Sequence, residues 1–221
     1  EHSINGGGLK YDYFSPNEKH RFNVFASAQH INRDSYYGGG QDLNAYGNTT
    51  DLNWMAGSQY VYSFGKCIFM PSDLTAGIEF NQDKLEDNMW GYHRTVDQKV
   101  NIGSAFLQNE WKNDHWGFLL GGRLDKHNLI DHIIFSPRAN LRFNPTQNIN
   151  LRLSYSSGFR APQAFDEDLH VENVGGNVAM VELAKDLKEE RSQSLSASAD
   201  IYHRFGAFQI NFLVEGFYTK F

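Results

Sequence analysis

The sequence predicts an all-β chain, an antiparallel up-and-down transmembrane β-barrel represented by about ten strands. Three observations carry that reading. Segment after segment alternates apolar and polar residues. The alternating segments are mostly about 12 to 16 residues long. The connections between them are short and long by turns.

The clearest alternation is "NINLRLSYSSGFRAPQ". Ile149, Leu151, Leu153 and Tyr155 fall on one side, and Asn150, Arg152, Ser154 and Ser156 on the other. Successive side chains of a strand point to opposite faces, so this is a strand with two unlike faces. Phe135, Pro137, Ala139, Leu141 and Phe143 repeat the pattern against Ser136, Arg138, Asn140 and Arg142. Leu195, Ala197, Ala199 and Ile201 alternate with Ser194, Ser196, Ser198 and Asp200. Phe208, Ile210, Phe212 and Val214 do so near the end, and Phe22, Val24, Ala26 and Ala28 near the start. Strands are expected at about 9–14, 20–33, 48–64, 73–85, 97–112, 115–127, 133–144, 149–160, 190–204 and 207–221. A globular strand averages about 5–6 residues. A tilted membrane strand needs about 9–11 inside the lipid and can project beyond it.

The short connections are "SPNEK", "GKCIFMPS", "NDH", "NPTQN" and "RFGA". The longer ones are "DSYYGGGQDLNAYG", "EDNMWGYHRTV", "KHNLID" and the stretch from Ala161 to Glu190. Outer-membrane barrels sort their connections in this way, with short periplasmic turns and long extracellular loops. Tyr11, Tyr13, Phe14, Tyr60, Tyr62, Phe64, Trp111, Trp116, Phe143 and Phe205 cluster at the short-turn ends, where an interfacial girdle is expected. Arg138, Arg142, Arg152, Glu110 and Glu215 fall on the polar phase. An Arg or Lys at mid-depth on a lipid face costs roughly 2–4 kcal/mol, so these residues are expected inside the barrel. A soluble β-sandwich would place the same charges on its surface, and the charges alone leave both readings open.

Composition narrows the function classes. The net charge is −6 and no basic run occurs, which argues against a nucleic-acid partner. Cys67 is the only cysteine, so no internal disulfide is available. No apolar run approaches the length of a transmembrane helix. No signal peptide is read at the start. The chain opens on "EHSINGGG" and closes on "GFYTKF", inside strand-like patterns, and is expected to be a piece of a longer protein.

At Gly158, Phe159, Arg160, Ala161 and Pro162 the sequence resembles a known family. "LRLSYSSGFRAPQAFDE" is similar to the "SY..GFRAP" segment of TonB-dependent outer-membrane receptors. "GGRLDKHNLIDHIIFSPRANLRFNP" upstream resembles the family's "G.R.D…SPR..L.Y.P". "GIEFNQDKL…QNEW" stands further upstream. "DLKEERSQSLSAS" downstream resembles its "LKPE.S.S.E.G", with Lys188 and Glu189 in place. The resemblance covers residues 73–221 well and 1–72 loosely. It implies a barrel of about 22 strands filled by an N-terminal plug domain. It also implies import of a scarce nutrient with energy from the TonB complex, in the outer membrane of a Gram-negative bacterium. The implied partners are outer-membrane lipid, a plug domain of the same parent protein, TonB and a nutrient. Ferric siderophore is the default cargo, with haem, cobalamin or glycan as other possibilities. No plug sequence or TonB box is recognised, so residues 1–221 are read as a partial barrel domain. A soluble all-β binding or adhesion module and a passive porin-like barrel are the competing readings.

No catalytic constellation stands out, and the chain is not expected to be an enzyme or to carry a cofactor. The close histidine pairs, His127/His132 and His20/His30, lack a third ligand at metal-site spacing. Ligand capture is expected in the long loops, where aromatics and a few polar groups make such sites. Tyr36, Tyr37, Trp90, Tyr92, His93 and Arg94 are candidates in two loops, and Asp166, Glu167, Asp168 and His170 in the longest. Gly158 to Pro162 are assigned to structure: Gly158 breaks the strand, Pro162 ends it, and Arg160 finds a partner in the lumen or loop. The glycines at 6–8 and 38–40 are read as loop residues. Val178, Val181, Leu183, Ala184 and Leu187 have the spacing of a short helix.

Overall fold

A computed structural model of the chain describes residues 1–36, 45–164, 169, 171–174, 177–180, 184 and 186–221. Ten strands form one antiparallel sheet: β1 (His2–Phe14), β2 (His20–Tyr36), β3 (Tyr46–Cys67), β4 (Met70–Met89), β5 (Arg94–Lys112), β6 (Trp116–His127), β7 (Ile134–Thr146), β8 (Ile149–Arg160), β11 (Glu190–Phe205) and β12 (Phe208–Lys220). They lie in chain order, each beside its sequence neighbour, and β11 follows β8 directly. The hairpin of β9 (Val171–Val174) and β10 (Asn177–Met180) stands in the connection between β8 and β11. Within the sheet β1 and β12 are each paired on one side only.

The alternation seen in the sequence becomes two faces because each register keeps the phase from strand to strand. On one face Phe22, Tyr60, Ala76 and Leu107 are successive cross-strand partners. On the other, Arg142, Arg152, Ser198 and Glu215 are. Glu110 stands opposite Asp73 on that polar face. All the charges that the sequence assigned to the polar phase therefore lie together. The apolar face exposes Ile78, Leu107, Leu120, Leu124, Phe135 and Phe212.

Its turn end carries a belt of rings. Tyr62 and Phe64 meet edge to face at 4.6 Å, and Phe69 stacks on Trp111 at 5.6 Å. Trp116 stacks on Phe118 at 5.7 Å and on Phe143 at 4.1 Å. Such pairs each contribute about 0.5–1.5 kcal/mol beyond their burial. Phe14 departs from the expected girdle: it pairs with Arg21 and so faces the polar side.

The short turns are built from local hydrogen bonds. Ser15 Oγ donates to Asn17 Oδ1 at 2.6 Å and accepts the His20 N–H at 3.0 Å. Asn113 Oδ1 accepts the N–H groups of His115 and Trp116. Asn and Ser suit these positions because their side chains mimic a backbone turn. Gly206, at φ 56, takes the left-handed corner between β11 and β12.

Several expectations need correction. β1 begins at His2, so Gly6 to Gly8 are strand residues, not a loop; the glycines at 38–40 lie outside the described residues. β3 and β4 run to 22 and 20 residues, longer than the sequence suggested at both ends. At the loop end, "NQDKLEDNM" is polar on both faces, so the period-2 contrast fades while the backbone ladder continues. The expected helix is absent from its described residues. Asn177–Met180 pairs as a strand, and Ala184 and Leu187 are non-helical. Val181 and Leu183 lie outside the described residues. A helix this short has a costly nucleus, whereas the hairpin ladder satisfies the same backbone groups. No helix among the described residues is long and apolar enough to cross a membrane, which says nothing of strands.

Two close approaches pin the register on the polar face. The ring of Phe106 lies over Gly77, where a Cβ would come within 2.4 Å of it. The ring of Phe25 covers Gly57 in the same way, at 2.5 Å. Gly77→Ala is therefore expected to destabilise the sheet by about 1–3 kcal/mol through overpacking. Gly103→Ala should change little, because nothing lies within 4 Å of that added carbon. Denaturant unfolding followed by tryptophan fluorescence checks the contrast.

Candidate functional site

At the loop end, the polar face of β3 to β6 is covered by residues from the chain beyond β8. This is where the described core lies. Ala164 and Leu169 pack against Leu85 of β4, with Val96 of β5 beside them, and Leu169 is 1% exposed. Leu85 and Val96 are apolar residues on this polar face, which gives the incoming segment something to bury against.

Polar contacts fasten it. Gln98 holds Ala164 by both backbone groups: its Nε2 donates to the Ala164 carbonyl at 3.1 Å, and its Oε1 accepts the Ala164 N–H at 2.8 Å. His127 Nε2 lies 3.2 Å from Gln163 Oε1. Arg94 Nη2 donates to the Leu169 carbonyl at 2.8 Å and to Asp87 Oδ2 at 2.7 Å. Thr49 Oγ1 donates to Asp87 Oδ1 at 2.6 Å and accepts from Arg33 Nη2 at 3.2 Å. Asp87 is fully buried and Arg94 nearly so. A buried charge is tolerated only when paired and hydrogen-bonded, and this carboxylate has both.

A second network lies on the same face. Arg123 reaches Glu79 by Nη2 and Asp125 by Nε, both at 2.8 Å. Ser104 Oγ accepts from Arg123 Nη2 at 2.7 Å and donates to Asp125 Oδ1 at 2.6 Å. It ties β4, β5 and β6 together side to side. Outside the strands, Glu189 contacts His132 at 3.0 Å and Arg191 at 3.1 Å. Its own backbone N–H, with help from Arg191 and His132, holds its carboxyl below the usual glutamate range despite partial burial.

The sequence candidates are scattered by comparison. Tyr36 ends β2, its ring 4.8 Å from that of Tyr46. Trp90 and Tyr92 belong to a 3-10 turn between β4 and β5, with Trp90 59% exposed. His93 follows in a left-handed conformation at φ 50. Arg94 does not lie in the loop: it opens β5 and is buried against Asp87. Tyr37, Asp166, Glu167, Asp168 and His170 lie outside the described residues.

β8 runs through Gly158 without a break, and Phe159 and Arg160 pair with Arg191 and Glu190. The strand ends at Arg160, just ahead of Ala161 and Pro162. Asp87, Gln98, Gln163 and Leu169 carry the mouth cluster and were not singled out; His127, which joins them, was noted only as one of a histidine pair. The one signal for them was Leu85 and Val96 standing in phase with polar neighbours. Among the described residues no three His, Cys, Asp or Glu side chains converge as a metal site.

A family model described as "TonB dependent receptor-like, beta-barrel" matches residues 2–221, nearly the whole chain. The chain belongs to this family. Solved structures of the TonB-dependent receptor fold agree. A mutant of the ferric enterobactin receptor PfeA from Pseudomonas aeruginosa superposes with a TM-score of 0.71 at 15% identity, over 91% of this chain and 33% of that one. The siderophore receptor PirA from Acinetobacter baumannii gives 0.71 at 18% identity, over 99% and 34%. The ferric citrate transporter FecA gives 0.64 at 12% identity, over 90% and 32%. At these identities the likeness establishes the fold. The chain spans about a third of the length of each of these structures. Comparison with curated protein sequences gives no match.

The cluster makes a direct prediction. Arg94→Met leaves the Asp87 carboxylate buried without its counter-ion, which costs about 3–5 kcal/mol locally. Hydrogen exchange at the Ala164 and Leu169 amides is expected to rise by two or more orders of magnitude, on the order of what such a loss gives. Exchange in β11, away from the cluster, should be unchanged.

Proposed function

We propose that this chain is a section of the barrel wall of an outer-membrane receptor that takes up a scarce nutrient. The observation that carries the proposal is the family match across residues 2–221 of a sheet with one exposed apolar face and one charged face. In this reading the apolar face meets lipid, and the polar face lines a lumen filled by a plug domain of the same protein. The loop end lies outside the cell and the turn end in the periplasm. Ferric siderophore is the favoured cargo class, in keeping with the siderophore receptors among the similar structures. TonB supplies the energy, and these residues perform no covalent chemistry.

The mouth cluster has a role in that scheme. Gln98, Arg94 and His127 hold the connection after β8 down on the inner wall at the loop end. The exposed Trp90 and half-buried Tyr92 stand at the tip of the neighbouring turn, placed to meet a solute arriving from outside. Tyr36, Tyr37, Asp166, Glu167, Asp168 and His170 are proposed as further loop contacts.

Uptake of ferric enterobactin and of ferric citrate is the test, in cells with and without the intact protein and with and without TonB. Loss of uptake of either probe on removing the protein, repeated on removing TonB, is the expected result. Uptake through the protein that persists without TonB would overturn the receptor reading in favour of a passive pore. A separate measurement tests the lipid face. Leu120→Arg is expected to cost about 2–4 kcal/mol when unfolding is followed in lipid vesicles, and Ser196→Arg on the polar face much less.

A further inference from the structure

The apolar face is asymmetric in charge. From the turn end to the loop end, aromatic rings come first, then aliphatic side chains, then a hydrogen-bonded polar row. In that row Trp54 Nε1 donates to Gln82 Oε1 at 3.2 Å, and Gln82 Nε2 to Asn101 Oδ1 at 2.8 Å. The next outward position on β4 is Lys84, and on β5 it is Lys99; the two are direct cross-strand partners. Like charges directly opposed are destabilising unless something between them is anionic.

The same order holds on other strands. Histidines aside, the first charged residue met on this face is Lys126 on β6, Arg191 on β11 and Lys220 on β12. All five cations are exposed. The acids come one step further out: Glu86 pairs with Asp97 in the row beyond the lysines. β2 is the exception, where Asp34 comes first, two outward positions beyond the lysine row. Lys84 also bonds Glu86 at 2.5 Å, Lys126 donates to the Ile130 and Asp131 carbonyls, and Arg191 to Glu189. The ammonium groups of Lys99 and Lys220 have no ionic or hydrogen-bonding partner among the described residues, although the Lys99 carbonyl accepts from Asn128 Nδ2.

We propose that this cationic row seats the phosphate groups of an anionic lipid in the leaflet at the loop end, with Lys84 and Lys99 as its centre. The inference rests on the outer-membrane reading. Phosphates lie just outside the acyl chains, where this row stands relative to the Leu107 and Leu120 band. Long lysine stems let the ammonium reach them while the methylenes stay on apolar surface. The acid row beyond is spaced to face polar headgroup groups and their counter-cations instead.

The test uses the intact protein in neutral detergent, probed by native mass spectrometry with diphosphorylated lipid A and with the same lipid dephosphorylated. Retention of the diphosphorylated form should exceed that of the dephosphorylated form by on the order of tenfold or more. The double variant Lys84→Gln/Lys99→Gln should lose that preference, and Lys84→Arg/Lys99→Arg should keep it. Lys112→Gln, at the turn end on the polar face, should leave it unchanged. Equal retention of the two lipids, or a preference unaltered in the Gln double variant, overturns the phosphate row while leaving the receptor reading intact. A protein that is monodisperse without detergent and retains neither lipid overturns both.

Discussion

The interaction on which this structure depends is the antiparallel backbone ladder. In the proposed membrane setting the apolar face has no water to satisfy a stray N–H or C=O, so each strand must pair with its neighbour along its length. Neighbour-to-neighbour pairing in chain order meets that demand with the shortest connections. It also explains the unusual strand lengths. Once the ladder is closed, it costs little to continue past the apolar band, and β3 and β4 do so. Side chains then need only obey the two-residue alternation, with large rings laid over glycine where strands come close, as Phe106 over Gly77.

The two faces solve different problems. The apolar face has no partner among the described residues and is organised by depth: rings at one margin, aliphatic groups between, amides and then cations at the other. The polar face is organised by partnership. Charges there are satisfied across strands, as Arg123 is by Glu79, or Lys112 by Asp73. Such pairs stitch neighbouring strands sideways, away from the apolar cluster at the loop end. The described apolar cluster of Leu85, Ala164 and Leu169 lies at the loop end.

That core gives the mouth its stiffness. Asp87 and Arg94 stand at the two ends of a single tight turn, and Leu169 comes from far along the chain. Buried together, they couple the geometry of the β4–β5 turn to the path of the longest connection. Exposed Trp90 and half-buried Tyr92 are thereby carried on a fixed base, the arrangement expected of recognition residues on loops held by a rigid scaffold.

The sequence by itself determined the strands, their two faces and the family; its parity of connections failed between β4 and β5, where only Trp90 to His93 join the strands. These properties are local: alternation is written residue by residue, and the turn chemistry of Ser15, Asn17 and Asn113 acts over a few positions. It misjudged what alternation cannot report. Gly6 to Gly8 have no side chains to alternate, and four-residue apolar spacing before β11 imitates a helix. Only the tertiary structure decided which groups meet. Arg94 looked like a loop residue until the register set it opposite Met89 and beside Asp87. Gln98 and His127 were ordinary polar-phase residues until the chain after β8 folded back onto them. Partners this far apart are chosen by register and by the path of a connection, and neither leaves a periodic trace in the chain.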